Sequence, residues 1–351
     1  MRTLSVRELN RALLARQLLL SRERLSVPEA LSRTAGLQAQ HAPAVYVGLW
    51  TRLEGFDREA LTRALEQRSA VQGTLMRSTI HVVAAHDYWA FALAIRRARR
   101  RVFLSQVRGL LAPHMTAAAR QLRRQLGEGD GTMNRADIES MLGRSRFAGV
   151  GFWIDLVRVP PSGTWEHPRA TVYADAETWL PPPTLTVAHA LEHLVQSYLR
   201  AFGPAPRRDI ASWSGLHVAD IEPAIQQLQL AEYRDAEGEV LVDVVDGLLP
   251  DADTAAPVRF LPVWDATLLA HARRAGIVPE ELRARVFSTR HPQGTGTFLV
   301  DGAVAGGWSW EDGRVVVDEW TRLDRASRRA LNEETERLTS FHAEPSAQAS
   351  V

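Results

Sequence analysis

The chain of 351 residues contains no cysteine. Disulfides, thiolate nucleophiles and cysteine-ligated zinc are therefore excluded, and the composition suits a reducing compartment. Lysine is absent as well: all 42 Lys+Arg positions are arginine. That excludes a lysine Schiff base and a Walker-type phosphate lysine. The codon usage of a GC-rich genome accounts for such a bias, but the chemical exclusion holds whatever its cause. No apolar run approaches the roughly 18 residues needed to span a bilayer. The stretch Leu13 to Leu20 is broken by Arg16 and Gln17 and makes a poor signal peptide.

What remains is an ordinary soluble composition, 45% hydrophobic, long enough for two or three domains with ample core. The net charge of +1 is uninformative, whereas its distribution is not. Arg96, Arg97, Arg99, Arg100 and Arg101 form a dense basic run, with Arg108 beyond it. The segment Glu232 to Asp253 is acidic with a single arginine, Arg234. This polarity suits a protein that places phosphates on one face and keeps them off another; a solvated helix face accounts for the arginines equally well.

The segment Gly36-Leu37-Gln38-Ala39-Gln40 sets two neutral amides around a small apolar residue. Upstream, Ser26-Val27-Pro28-Glu29 has the form of a capping box. Leu31, Ala35 and Gln38 follow at i, i+4 and i+7, which puts Gln38 on the apolar face of a helix, where an amide needs partners. Pro43 disfavours the helical region at Ala42. If the chain is extended near Gln40, its period becomes two and both amides face the same space. The alternative is a helix end whose glutamines bond to nearby carbonyls.

Ser5-Val6-Arg7-Glu8 is another capping box, opening a helix marked by Val6, Leu9, Leu13 and Leu20. Tyr46 to Leu53 and the segment after Asp57 read as further helices, and Ala70 to Ala84 as a strand pair with Gly73 inside it. Residues 86–126 read as mainly helical, and the glycines at 127–131 as a boundary. A second unit runs from Asn134 to Tyr173, with a wing from Thr164, and Pro181-Pro182-Pro183 is a stiff linker. The third unit has the clearest grammar: a helix from Thr186 to Phe202 stopped by Gly203-Pro204, a short helix through Trp213, a turn at Gly215, a helix from Ala219 to Leu230, and a wing from Tyr233 to Val245. Beyond it, Asp301-Gly302 between apolar strands is a strong hairpin signal, and Asp312-Gly313 a second. The expected architecture is α+β and helix-rich: three tandem winged-helix (helix-turn-helix) units with C-terminal β-hairpins around a concave DNA-binding cleft. The expected divisions are 1–128, 129–182 and 183–351.

One competing motif is His189-Ala190-Leu191-Glu192-His193, the H-x-x-E-H pattern of inverted zinc peptidases. It lacks a matching downstream carboxylate for a third ligand, and a pair of helix-face histidines explains it without metal. A non-catalytic winged-helix transcriptional regulator is the other alternative.

The Gln38-Ala39-Gln40 element resembles the Gln-apolar-Gln signature of the AlkZ-like bacterial alkylpurine DNA glycosylases. Leu75-Met76-Arg77-Ser78-Thr79-Ile80-His81, Pro160-Pro161-Ser162-Gly163-Thr164-Trp165, Trp213-Ser214-Gly215-Leu216, and Leu299-Val300-Asp301-Gly302 followed by Trp308 agree in order. A sister branch carries aspartate at the second motif position; Gln40 places this chain in the other. The resemblance implies a monofunctional glycosylase that hydrolyses the N-glycosidic bond of N7-alkylated purines, including bulky antibiotic adducts or interstrand crosslinks, in repair and self-resistance. It implies Gln38 and Gln40 as the catalytic pair, with Arg77, Thr79 and His81 bordering the lesion. The arginine run and the hairpin tip at Val300, Asp301, Gly302 and Ala303 are the DNA-binding candidates, the tip as a minor-groove wedge. The expected partner is double-stranded DNA with alkylated purines, bound by a cytoplasmic, nucleoid-associated monomer with no cofactor, metal or membrane.

The lack of lysine yields a direct expectation: borohydride should trap no covalent protein–DNA adduct during base release. Trapping that persists after the N-terminal amine is blocked would refute a purely hydrolytic reaction.

Overall fold

The computed structural model describes residues 1–169, 171–271, 276–287 and 295–344. Both expected capping boxes form. Ser5 accepts from the Glu8 N–H and Glu8 accepts from the Ser5 N–H, opening the helix Val6–Arg16; Ser26 and Glu29 do the same for Val27–Arg33. The second helix is shorter than its apolar spacing suggests. Ala35 and Gly36 both take positive φ, at 57° and 81°, and reverse the chain. Leu37–Gln38 is a strand, not a helix end, so the i, i+4, i+7 stripe through Gln38 does not exist. The next helix, Ala42–Trp50, carries Pro43 in its first turn, where the missing N–H has no intrahelical partner to lose.

The organising element is a six-stranded sheet. In spatial order its strands are Leu37–Gln38, Ile80–Ala84, Ala70–Thr74, Leu156–Arg158, Val172–Asp175 and Thr132–Asn134, and every neighbouring pair is antiparallel. The sheet crosses the expected division at 128/129: Gln72 pairs with Arg158 and Gly73 with Val157. The first and second segments therefore share one sheet. Its strands alternate between two cores. Val71, Val83 and Val157 join the cluster built with the helices Ala85–Gln106 and Val187–Phe202. Leu37, Ala39, Val82 and Ala84 join the cluster of Tyr46, Leu49 and Phe341.

The third segment has the expected element order: helices Val187–Phe202, Arg207–Ser214 and Val218–Gln227, then the hairpin of Leu230–Arg234 and Val240–Val244. It is closed by the chain's beginning, because Arg2–Thr3 pairs parallel with Leu230–Arg234. The last sheet is a plain antiparallel meander of Arg259–Leu261, Gly296–Val300, Ala303–Glu311 and Arg314–Glu319. Asp301 and Gly302, at φ 47° and 81°, have the positive angles that a type I′ turn requires.

Buried ion pairs tie these parts together. Arg16 makes two 2.7 Å hydrogen bonds to Asp243, and Arg52 makes two of 2.9 Å to Asp265. Arg52 and Asp265 are 0% and 1% exposed, so each depends on the other for its charge to be tolerated. Burial pushes the Asp265 carboxyl up, but the Arg52 guanidinium outweighs it, and the group titrates below the ordinary range. Arg52→Ala leaves a bare buried carboxylate and should lower unfolding free energy by about 3–5 kcal/mol in denaturant titration. The double replacement Arg52→Leu/Asp265→Leu should recover part of that loss.

Candidate functional site

Cross-strand pairing assembles the site. Gln38 lies directly opposite His81, and His81 directly opposite Gly73, so the three share one sheet face. The ladder continues past Gln38, since the Ala39 N–H donates to the Ile80 carbonyl at 2.7 Å. Gln40 then uses its side chain as a backbone surrogate: its Oε1 accepts from the Ile80 N–H at 2.9 Å. Arg77 Nη2 donates to Gln38 Oε1 at 3.1 Å. Both donors fix the amide orientations, because neither an arginine nor a backbone N–H can accept. Each amide thus keeps its Nε2 donors, which have no hydrogen-bond acceptor among the described residues, and each Oε1 keeps a second lone pair. Gln38 is half-buried and Gln40 exposed. The segment is thus extended through Ala39, with each amide oxygen held by its own donor.

Arg77 is held by its surroundings. Arg77 and Ser78 form a left-handed turn, at φ 52° and 58°, between the strands Ala70–Thr74 and Ile80–Ala84. Such angles cost about 1–3 kcal/mol each at non-glycine residues. The Arg77 side chain also donates to the Trp213 carbonyl at 2.8 Å. Gly215, in a left-handed helix cap at φ 79°, lies so close that a Cβ there would sit 3.2 Å from both Arg77 N and Cα. The Trp213-Ser214-Gly215 turn thus clamps the arginine that orients Gln38. Thr79 donates through Oγ1 to the Met76 carbonyl at 3.0 Å, bracing the same turn.

His81 is 3% exposed. Burial, with the Arg77 charge adding to it, lowers its pKa to about 3, against a small opposing contribution from the Thr79 carbonyl. That carbonyl accepts from Nδ1 at 3.1 Å, which assigns the proton to Nδ1 and the lone pair to Nε2. The face therefore presents neutral amides and a neutral imidazole. His41 beside the pair is also held below its ordinary pKa, by burial and then by Arg169.

Several DNA-binding candidates are placed elsewhere. Arg96 and Arg99 converge on the buried carboxylate of Asp155, and Arg99 also donates to the Thr74 carbonyl at 2.7 Å. Arg100 donates to the Phe152 carbonyl at 2.7 Å and lies over the Trp153 ring. These three arginines brace the fold, because helix spacing turns them toward the Arg144–Ile154 helix and its cap. Arg97 and Arg101 are exposed, the latter 3.5 Å from Asp220. The Val300-Asp301-Gly302-Ala303 tip is not a projecting wedge. Asp301 pairs with Arg7 and Arg11, and a Cβ on Gly302 would collide with Asn10, Arg11 and Leu14. The exposed turn of the meander is the next one, Glu311-Asp312-Gly313-Arg314.

The H-x-x-E-H pattern does not converge. His193 Nε2 lies 2.8 Å from Asp87 Oδ1, while His189 is exposed, and among the described residues no three His, Asp or Glu side chains are grouped to hold a metal. Among the described residues no helix is long and apolar enough to cross a membrane. Trp264 was invisible to periodicity, yet with Gln38 it lines a small cavity, together with Leu37, Ala44 and Gly48.

The fold is that of a known class of DNA-acting enzyme. DNA glycosylase AlkZ of Streptomyces sahachiroi superposes with a TM-score of 0.80, covering 97% of this chain and 97% of its own, at 18% sequence identity. A model of the AlkZ-like DNA glycosylases matches residues 31–341, and the chain belongs to that family. It is a DNA glycosylase, with DNA as its substrate and DNA repair as its setting. No curated protein sequence matches it.

The depressed His81 pKa has a stability consequence. Between its ordinary value of 6.5 and about 3 the unfolded chain binds the proton that the fold excludes, so stability falls as pH drops through that window. His342, lowered to about 4 by burial, acts in the same direction. His81→Gln should flatten the decline of Tm between pH 7 and pH 4.5; a slope equal to wild type would show that His81 takes up its proton without opposing the fold.

Proposed function

We propose that the chain is a monofunctional glycosylase that hydrolyses the N-glycosidic bond of N7-alkylated purines, bulky genotoxin adducts and crosslinks among them, in repair and antibiotic self-resistance. The observation that carries this reading is the pairing of Gln38 with His81, a neutral amide opposite an uncharged imidazole, with the Arg77 guanidinium holding the amide oxygen.

An N7-alkylated purine is already cationic. Its C1′–N9 bond breaks with the electron pair passing to the base, which leaves neutral, so no acid is needed for the leaving group. The deoxyribose becomes oxocarbenium-like and is captured by water. Gln38 and Gln40 hold that water through their amide groups, and the His81 Nε2 lone pair accepts one of its hydrogens. Once the C1′–O bond forms, the oxonium is a strong acid, and even a weakly basic imidazole or bulk water takes its proton. Ordinary guanine, a poor leaving group, meets no general acid here and stays bound to its sugar. Arg77 acts one step removed, fixing which edge of the Gln38 amide faces the water.

The three-unit winged-helix reading completes the proposal, with the units gripping the duplex around this face as a monomer. Arg97, Arg101 and Arg108 are the exposed members of the basic stretch and supply phosphate contacts. An open cleft suits a bulky or crosslinked base that cannot be flipped into a snug pocket.

Gln38→Ala and Gln40→Ala should each slow single-turnover release of N7-methylguanine by about a hundredfold, the usual loss when one positioned hydrogen-bonding group is removed, while binding to DNA with a tetrahydrofuran abasic analogue stays at wild-type strength. Native rates in both variants would remove the amide pair from the mechanism.

A further inference from the structure

We propose that Trp264 is the aromatic platform on which the cationic alkylated purine stacks, and so a specificity-determining residue for this enzyme. The assignment deepens the N7-alkylpurine reading and rests on it.

Three observations on the Pro262-Val263-Trp264-Asp265 loop carry it. First, Trp264 has φ 58°, a left-handed conformation that bulky side chains adopt rarely and that persists where the surroundings impose it, commonly at functional sites. The surroundings here do impose it. The neighbouring Asp265 is buried, held twice at 2.9 Å by Arg52, and caps the following turn through the Thr267 N–H at 2.9 Å. The Asp265 N–H returns to the Pro262 carbonyl at 3.3 Å. The ion pair thus fixes the residue that follows Trp264, and the backbone bond closes the turn around it.

Second, the loop and Gln38, the residue whose amide is proposed to act, line one cavity. Its other walls include Leu37, Ala44 and Gly48, the last two on the helix Ala42–Trp50 that precedes Arg52. The cavity is too small for a purine, so a base approaching Gln38 lies outside it, and Trp264 is half-buried, with surface left for contact.

Third, the ring is unengaged among the described residues. The chain has ten tryptophans. Trp50, Trp153, Trp165 and Trp179 lie under arginines, and Trp89, Trp308 and Trp320 donate through Nε1. Trp213 and Trp310 pack on aromatic rings. Among the described residues Trp264 alone has neither a ring partner, nor a cation over it, nor an acceptor for its indole N–H.

An indole face beside a water-positioning amide attracts a delocalised cation in preference to a neutral base. Alkylation at N7 turns guanine into such a cation, and a fused ring system stacks over an indole with full overlap. Recognition and chemistry then read the same property: Trp264 favours the charged base on binding, and the neutral amides release only a base that leaves without acid assistance.

The test compares wild type with Trp264→Phe and Trp264→Leu, each checked for its melting temperature. Affinity is measured for duplexes holding a hydrolysis-resistant 2′-fluoro N7-methylguanine, unmodified guanine or a tetrahydrofuran abasic analogue, and single-turnover release is measured from ordinary N7-methylguanine DNA. The expected result is that Trp264→Leu loses about tenfold in its preference for the N7-methylated over the unmodified duplex. Trp264→Phe should keep most of it, with abasic-analogue binding unchanged in both. An undiminished preference in Trp264→Leu, or an equal loss on all three duplexes, overturns the assignment. A wild-type enzyme that releases no N7-methylguanine overturns the substrate class and this assignment together, whereas release by wild type and by Trp264→Leu at the same rate overturns the assignment alone.

Discussion

The Arg52–Asp265 pair is the constraint on which the site depends. Arg52 follows the helix Ala42–Trp50, which begins one residue after the Gln38-Ala39-Gln40 segment. Asp265 follows Trp264. Two fully buried charges attract strongly in a low-dielectric interior and tolerate little displacement. Thr267 and Gln17 add hydrogen bonds to the same guanidinium and carboxylate, leaving the Arg52 Nε as the guanidinium nitrogen without a partner among the described residues. The pair therefore holds a segment near residue 50 against one near residue 265, and the cavity between Gln38 and Trp264 lies on that seam.

The electrostatics of the protein follow one pattern. Its charges are gathered into internal pairs, Arg16 with Asp243, Arg52 with Asp265, Arg96 and Arg99 with Asp155, and Arg22 with Glu334. Gln38 and His81 themselves carry no charge, and the Arg77 guanidinium donates to the Gln38 oxygen and to the Trp213 carbonyl. Such a face offers hydrogen bonds from an amide and a weakly basic imidazole.

Local signals in the chain were read well where a short-range mechanism underlies them. The two serine capping boxes, the helix stop at Gly203, the turn at Gly215 and the Asp301-Gly302 hairpin all form as their residues imply. The Gln38 helix stripe failed because Ala35 and Gly36 adopt positive φ, which apolar periodicity cannot register. The arginine run misled for a different reason. Its spacing marks a helix face but not what that face meets, and Asp155, more than fifty residues later, is what it meets. The Asp301-Gly302 turn was identified correctly as a turn, yet its docking onto Asn10, Arg11 and Leu14 is a long-range contact with no local trace.

By itself the sequence determined the chemistry that is available: no thiolate, no lysine amine, and two amides two residues apart. Those are properties of side chains and need no fold. The tertiary structure alone decided where they act. The pairing of Gln38 with His81, the burial that keeps that imidazole neutral, and the ion pair that holds Asp265 next to a strained Trp264 each depend on residues distant in the chain. Their energies arise from desolvation and strand register, and neither exists until the sheet has formed.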